Sequence, residues 1–134
     1  MLRQLDIETS KEQEIINITD KIRKIILESG IKNGICVIHS LHTTAGIIIN
    51  EISDKNLCDD ILKKFDDIVP EKEFYKHNLY DNNANAHIKS SIIGLSKSII
   101  IKDSNLLLGT WQEIGLIELD GPRQRKIFIK IIGE

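Results

Sequence analysis

Aromatic side chains are scarce in this chain: one tryptophan, two tyrosines and three phenylalanines, 4% of 134 residues. The apolar mass therefore falls to aliphatic residues, isoleucine above all, and a β-branched core favours sheet over helix. Cysteine is limited to Cys36 and Cys58, without Cys-x-x-Cys spacing. That excludes a disulfide-rich framework and predicts reduced, structural thiols. No block of lysines or arginines is long enough to track a phosphate backbone, and the net charge is -2, so nucleic acid is not expected as a partner. No apolar run approaches the length of a membrane span, and Met1 to Lys11 is polar with no apolar signal core. The expectation is a cytoplasmic protein with no membrane partner.

What is present fits one ordinary domain spanning residues 1–134, with 41% hydrophobic and 28% charged residues. Ile15, Ile16 and Ile18 predict a short strand, and Thr19 or Asp20 a helix N-cap. Ile22, Ile25, Ile26 and Ser29 follow at helical spacing, and Gly30 is placed to stop that helix. Asn33-Gly34 predicts a turn ahead of a buried strand over Ile35 to Ile38. Ser53 or Asp54 caps a second helix in which Leu57, Ile61, Phe65 and Ile68 share one face, flanked by Cys58 and Leu62, and Pro70 ends it. Glu71 to Asn85 is a long polar connection without clear periodicity. From Ser98 onward short strands follow: Ile99 to Ile101, Leu106 to Leu108, Ile114 to Leu119 and Lys126 to Ile132. In the last of these Ile127, Ile129 and Ile131 share one face, and Arg125 and Arg123 join it if the extended conformation begins early. The C-terminal half is therefore expected to be mostly antiparallel sheet.

Polar residues among small neighbours mark the candidate chemistry. His42, in His-Thr-Thr-Ala-Gly, and His87, in Asn-Ala-His-Ile-Lys-Ser, are the leading metal ligands, since neutral imidazole is a common ligand and small neighbours let one approach. A lone histidine is more often simply hydrogen-bonded, and the spacing makes no motif. Glu51 is a candidate general base or orienter, whereas Asp54 at a helix start reads first as a cap. Glu118, Asp120, Arg123 and Arg125 concentrate opposite charges in a short segment. They form either a salt-bridged rim or a guanidinium fork that binds phosphate while a carboxylate holds one arginine in place. Thr43 and Lys89 are candidate further donors to an anion. Trp111 reads as packing against the sheet, and His39 and His77 as structural.

Three stretches together resemble the YjbQ-like family: His42-Thr-Thr-Ala-Gly with Asn50-Glu51 and Asp54, Asn85-Ala-His87-Ile-Lys89-Ser90, and Gly109-Thr-Trp-Gln112 leading to Asp120-Gly-Pro-Arg-Gln-Arg125. They cover nearly the whole chain in order. Ser104 departs from the pattern, which usually has glycine there. The resemblance implies a small α+β fold, a single YjbQ-like domain with a two-layered, largely antiparallel β core and two main helices, a homotrimer, and a site near the subunit boundaries. Some family members are described as secondary thiamine-phosphate synthases.

Two expectations follow. The first is a metal-dependent enzyme acting on a phosphorylated small molecule, with thiamine-phosphate synthase as its most specific version. In it His42 and His87 hold a divalent metal, zinc favoured, Arg123 and Arg125 hold phosphate, and Glu51 acts as base or orienter. The second is a noncatalytic metal- or metabolite-binding homotrimer.

Overall fold

Strict alternation at the C-terminus builds the centre of the larger sheet. In the computed structural model, which describes all 134 residues, the last strand runs Gln124–Gly133 and buries Arg125, Ile127, Ile129 and Ile131 while Lys126 and Lys130 stay in solvent. In chain order the elements are β1 (Leu2–Glu8), β2 (Glu14–Asn17), α1 (Thr19–Ser29), β3 (Gly34–Ser40), β4 (Ala45–Asn50), α2 (Lys55–Ile68), a 3-10 turn (Lys76–Leu79), α3 (Ala84–Ile93), β5 (Ser96–Lys102), β6 (Asn105–Leu106), β7 (Glu113–Glu118) and β8 (Gln124–Gly133). One sheet has the order β1-β8-β3-β5-β6 and the other β2-β7-β4. Every strand pair is antiparallel.

The two sheets face each other across the main core. Ile38, Ile127 and Ile129 of the larger sheet meet Ala45, Ile47, Ile114 and Leu116 of the smaller, and Ile22, Ile25 and Ile26 of α1 pack into the same cluster. β7 is apolar on both faces because its other side is also covered: Ile117 and Ile15 pack with Cys58 of α2 and Ala86 of α3. The fold is thus an α+β single domain of two antiparallel sheets and three α-helices. Its first sheet is open on the outside, and its second is backed by α2 and α3.

Several boundaries match the sequence pattern, each for a local reason. Gly30 ends α1 in the left-handed region at φ 69°. Asp54 caps α2 by accepting from the Leu57 amide at 3.0 Å, and α2 stops two residues before Pro70. Cys36 and Cys58 are buried free thiols, and burial pushes Cys36 up to about 11.

Four expectations need correction. The N-cap of α1 is Ile18 rather than Thr19 or Asp20, because Asn17 Oδ1 accepts from the Thr19 amide (3.1 Å) and hydroxyl (2.6 Å), which places the capping oxygen one residue earlier. The Ile35 to Ile38 strand is buried on one face only: Cys36 and Ile38 are covered, whereas Ile35 is exposed on the outer face of the larger sheet. Trp111 does not pack on the sheet but is 70% exposed. Finally there are three α-helices, not two. α3 buries Ala84, Asn85, Ala86, Lys89 and Ser90 and exposes Ile88 and Ile92. A helix that packs by small and polar residues carries no apolar stripe, so its period does not show in the sequence.

Candidate functional site

The open end of the sandwich holds a cleft of about 660 Å³, lined by 11 residues of which only Leu41 is apolar. Three segments build it: the β3–β4 loop with His42, Thr43 and Thr44, the stretch before and within α3 with Asp81, Asn83 and His87, and the β7–β8 turn with Asp120 and Arg123 running into Arg125. Residues separated by more than 80 positions thus share one wall. Two guanidiniums and two carboxylates line the cleft, so its charge is balanced and polarised rather than of one sign.

Arg125 is the floor. Register places it on the inward face of β8, opposite Ile7 of β1, and it is 2% exposed. Its Nε donates to Glu118 Oε2 at 2.8 Å, and its Nη2 donates to Glu118 Oε1 and to Thr44 Oγ1 at 2.9 Å. Nη1 takes part in no hydrogen bond within the chain, although the residue lines the cleft. Glu118 is itself fully buried and saturated, since it also accepts from Thr9 Oγ1 (2.8 Å) and from the Leu119 and Asp120 amides. Burial alone would raise its carboxyl; the hydrogen bonds from Arg125, the Asp120 amide and Thr9 outweigh that and hold it below the usual range. The close packing here requires Gly121, where a Cβ would strike the Lys11 carbonyl oxygen and come within 2.8 Å of Glu118 Cγ.

Arg123 is arranged differently. β8 begins at Gln124, so Arg123 stands outside the strand and is exposed. Its Nε donates to the Asp120 carbonyl at 2.7 Å and its Nη2 to Asp120 Oδ2 at 3.0 Å. Asp120 Oδ2 also accepts from Asn83 Nδ2 at 2.8 Å, and Asn83 Oδ1 faces His77 Nε2 at 2.8 Å. With its amide nitrogen committed to Asp120, Asn83 presents an acceptor to His77, which must therefore carry its proton on Nε2. The His77 ring meets that of His87 edge-on, with centroids 4.7 Å apart. A polar chain thus runs from Arg123 through Asp120, Asn83 and His77 to His87.

His42 accepts the Lys126 amide on Nε2 at 2.8 Å. A neutral imidazole with that lone pair engaged holds its proton on Nδ1. Burial, with Arg125 next, lowers the His42 pKa below its ordinary value, which favours this neutral form. The ring nitrogens of His87 make no hydrogen bond within the chain.

Of the residues singled out in the sequence, His42, His87, Thr43, Arg123 and Arg125 line the cleft together. Glu51 and Lys89 do not. Glu51 lies on a separate surface cleft of about 490 Å³ with Trp111 and Arg23. Lys89 is fully buried and forms an ion pair with Asp66, which fastens α3 to α2. His77, expected to be structural, joins the polar chain through Asn83; Asn83, Thr44 and Asp81, which the sequence did not single out, line the cleft. The available signal is the density of His, Asn and Asp between His77 and Asn85, in a stretch without period.

As a metal site the cleft is short of donors. His42 has its free lone pair engaged by Lys126, and Asp120 is committed to Asn83 and Arg123. No three His, Cys, Asp or Glu side chains are grouped to hold an ion. His87 and Asp81 remain, fewer than the three protein ligands usual for catalytic zinc.

A family model described as UPF0047 protein YjbQ-like matches residues 3–134. The UPF0047 protein MJ1081 of Methanocaldococcus jannaschii is 46% identical over 134 residues, covering 100% of this chain and 96% of that protein. The UPF0047 protein YugU of Bacillus subtilis is 43% identical, covering 99% of this chain and all of that protein. Among solved structures, a YbjQ-like protein of unknown function from Sulfolobus solfataricus superposes with a TM-score of 0.97 at 40% identity, covering 100% of this chain and 97% of that one. An uncharacterized YjbQ/UPF0047 protein from Clostridium acetobutylicum gives 0.93 at 45% identity, covering 97% of this chain and 99% of that one.

Proposed function

The chain belongs to the family of YjbQ-like UPF0047 proteins, and on that premise we propose that its cleft binds a phosphorylated small molecule and acts on it as a metal-dependent enzyme. One observation carries the phosphate half: a buried guanidinium, fastened by Glu118 and Thr44, lines the cleft with Nη1 unengaged. An arginine held on one edge loses little freedom when its other edge takes an oxyanion, and its planar donors match phosphate. Arg123 and Thr43 line the same wall. Glu118 neutralises Arg125, so affinity comes from directed N–H donors more than from net charge.

The metal, with zinc favoured, is the second half. It requires either that His42 release the Lys126 amide or that another copy of the chain donate a ligand, and a homotrimer with sites at its boundaries supplies such a donor. His87 is the ligand this reading requires, and Asp81 stands at the same wall. Thiamine phosphate formation is the most specific reaction included, and it rests on the family resemblance alone. The alternative, a noncatalytic metal- or metabolite-binding homotrimer, is favoured by one observation: Glu51, the expected base, lies in a different cleft.

Isothermal titration with inorganic phosphate tests the first half. Wild type should bind, and Arg125→Lys should weaken binding at least tenfold. Equal affinities would leave the arginines as scaffold. Mass spectrometry of zinc content tests the second, with loss expected on His87→Ala and a trimer expected by light scattering. Retained stoichiometric zinc in that variant, or a stable monomer, would remove the metal half.

A further inference from the structure

The separate cleft of about 490 Å³ at the far end of β4 serves no step of the function proposed above, and its lining has a different chemistry. It includes Glu51 and Glu113, Trp111 and Gln112, and Leu106 and Leu108. Its one cation, Arg23, is paired with Asp20 at 3.3 Å. Two carboxylates therefore share the cleft with a single guanidinium that already has its counter-charge, and the cleft is set to receive positive charge.

The two carboxylates are in different states. Glu113 is saturated: it accepts from the Ser53 amide and hydroxyl, each at 2.8 Å, and from Asn17 Nδ2 at 2.6 Å. The Ser53 hydroxyl first and its amide next hold this carboxyl below the usual range, so it stays charged. Glu51 is half-buried, yet only its backbone is engaged, and its carboxylate takes part in no hydrogen bond or ion pair within the chain. Taking a carboxylate partly out of water without a partner is unfavourable, and a cationic ligand would supply one.

Trp111 is likewise unengaged. The Gln112 amide donates to the Gly109 carbonyl at 3.1 Å, and Gln112 Oε1 accepts from the Gly109 amide at 2.7 Å, which closes the turn on which the indole stands. The ring is largely exposed, and its N–H donates to nothing within the chain. An aromatic face presented by a closed turn loses little freedom when a flat group stacks on it.

A free carboxylate beside an open indole discriminates among cations. An ammonium is compact and strongly hydrated, whereas a guanidinium is planar and weakly hydrated, stacks on an aromatic face and forks onto a carboxylate. We propose that this cleft binds a guanidinium group, with its plane on the Trp111 indole and its N–H fork on Glu51. Glu113, held by Ser53 and Asn17, adds negative potential without releasing its own bonds. The site stands or falls separately from the phosphate reading.

Trp111 is the only tryptophan, so its fluorescence reports on this cleft alone. Methylguanidinium, added to the full chain well below denaturing concentrations, should change the emission saturably and bind roughly fivefold or more tightly than methylammonium at equal ionic strength. Glu51→Gln, with circular dichroism unchanged, should weaken that binding about tenfold. Trp111→Phe, followed by isothermal titration, should weaken it severalfold. N-acetylarginine amide should bind in the same way; tighter binding than methylguanidinium marks a protein arginine as the natural occupant, and equal binding a free guanidine. An emission change that does not saturate, equal affinity for methylammonium, or unaltered affinity in either variant would overturn the proposal.

Discussion

Glu118 closes β7 in the smaller sheet and Arg125 opens β8 in the larger one, and their buried ion pair ties the two sheets together directly beneath the cleft. The pair holds the floor of the candidate site and one end of the core in a single interaction. Arg125 also reaches Thr44 ahead of β4, and Glu118 reaches Thr9 beyond β1, so four chain segments converge on it.

Removing one partner should therefore be costly. Glu118→Gln leaves the Arg125 guanidinium buried without its counter-charge, and breaking such a pair costs about 3–5 kcal/mol. Urea unfolding should show a loss of that order. A loss under about 1 kcal/mol would mean that water reaches the pair, as at a surface salt bridge.

The His42 ring predicts an acid-side loss of stability. Its folded pKa lies below the ordinary 6.5, so as pH falls the unfolded chain takes up its proton first. Stability from this group is complete well above 6.5, declines as pH falls below it, and levels off once the folded ring also protonates. Protonation also converts the Nε2 acceptor of the Lys126 amide into a donor, breaking that bond. Denaturant melts between about pH 5 and 7.5 should show a steeper pH slope for wild type than for His42→Ala. Parallel slopes would assign the titration elsewhere.

Lys89 and Asp66 should respond asymmetrically. Lys89 is 0% exposed, whereas Asp66 reaches solvent and also accepts from Gln13 at 3.1 Å. Asp66→Ala strands a buried ammonium and should cost about 1–3 kcal/mol. Lys89→Met keeps the stem and removes the charge, and should be nearly neutral. Its phosphate affinity should match wild type, since Lys89 does not line the cleft. A weakened titration would return Lys89 to the site.

Ser104 offers a gain. Asp103 and Ser104 form the two-residue turn between β5 and β6 with φ 51° and 62°, the left-handed pair of a type I′ turn. A side chain in that region costs roughly 1–2 kcal/mol, partly offset by the greater freedom glycine loses on folding. Ser104→Gly should therefore raise stability by about 0.5–1 kcal/mol. No rise in melting temperature would mean that the serine is held by contacts the turn geometry does not require.

Local chemistry determined much of this protein from sequence alone. The period of two in Ile127, Ile129 and Ile131 specified β8 and the inward face of Arg125. Gly30 and Asp54 marked the ends of helices, and the charges of Glu118, Asp120, Arg123 and Arg125 marked a segment that is either a salt-bridged rim or a phosphate-binding fork. Each of these depends on neighbours within a few residues, which a sequence displays directly. Tertiary structure decided the rest. α3 packs through Ala84, Ala86, Lys89 and Ser90, so its helical period has no apolar signature. Glu51 shares the stretch that follows His42, yet β4 carries it to the opposite end, at the Trp111 cleft. His77 entered the site only because Asn83 spans from it to Asp120, 37 positions further on. Which loops meet at the end of a sandwich follows from how two sheets stack, and the contacts that set the stacking lie far apart in the chain, where no local pattern records them.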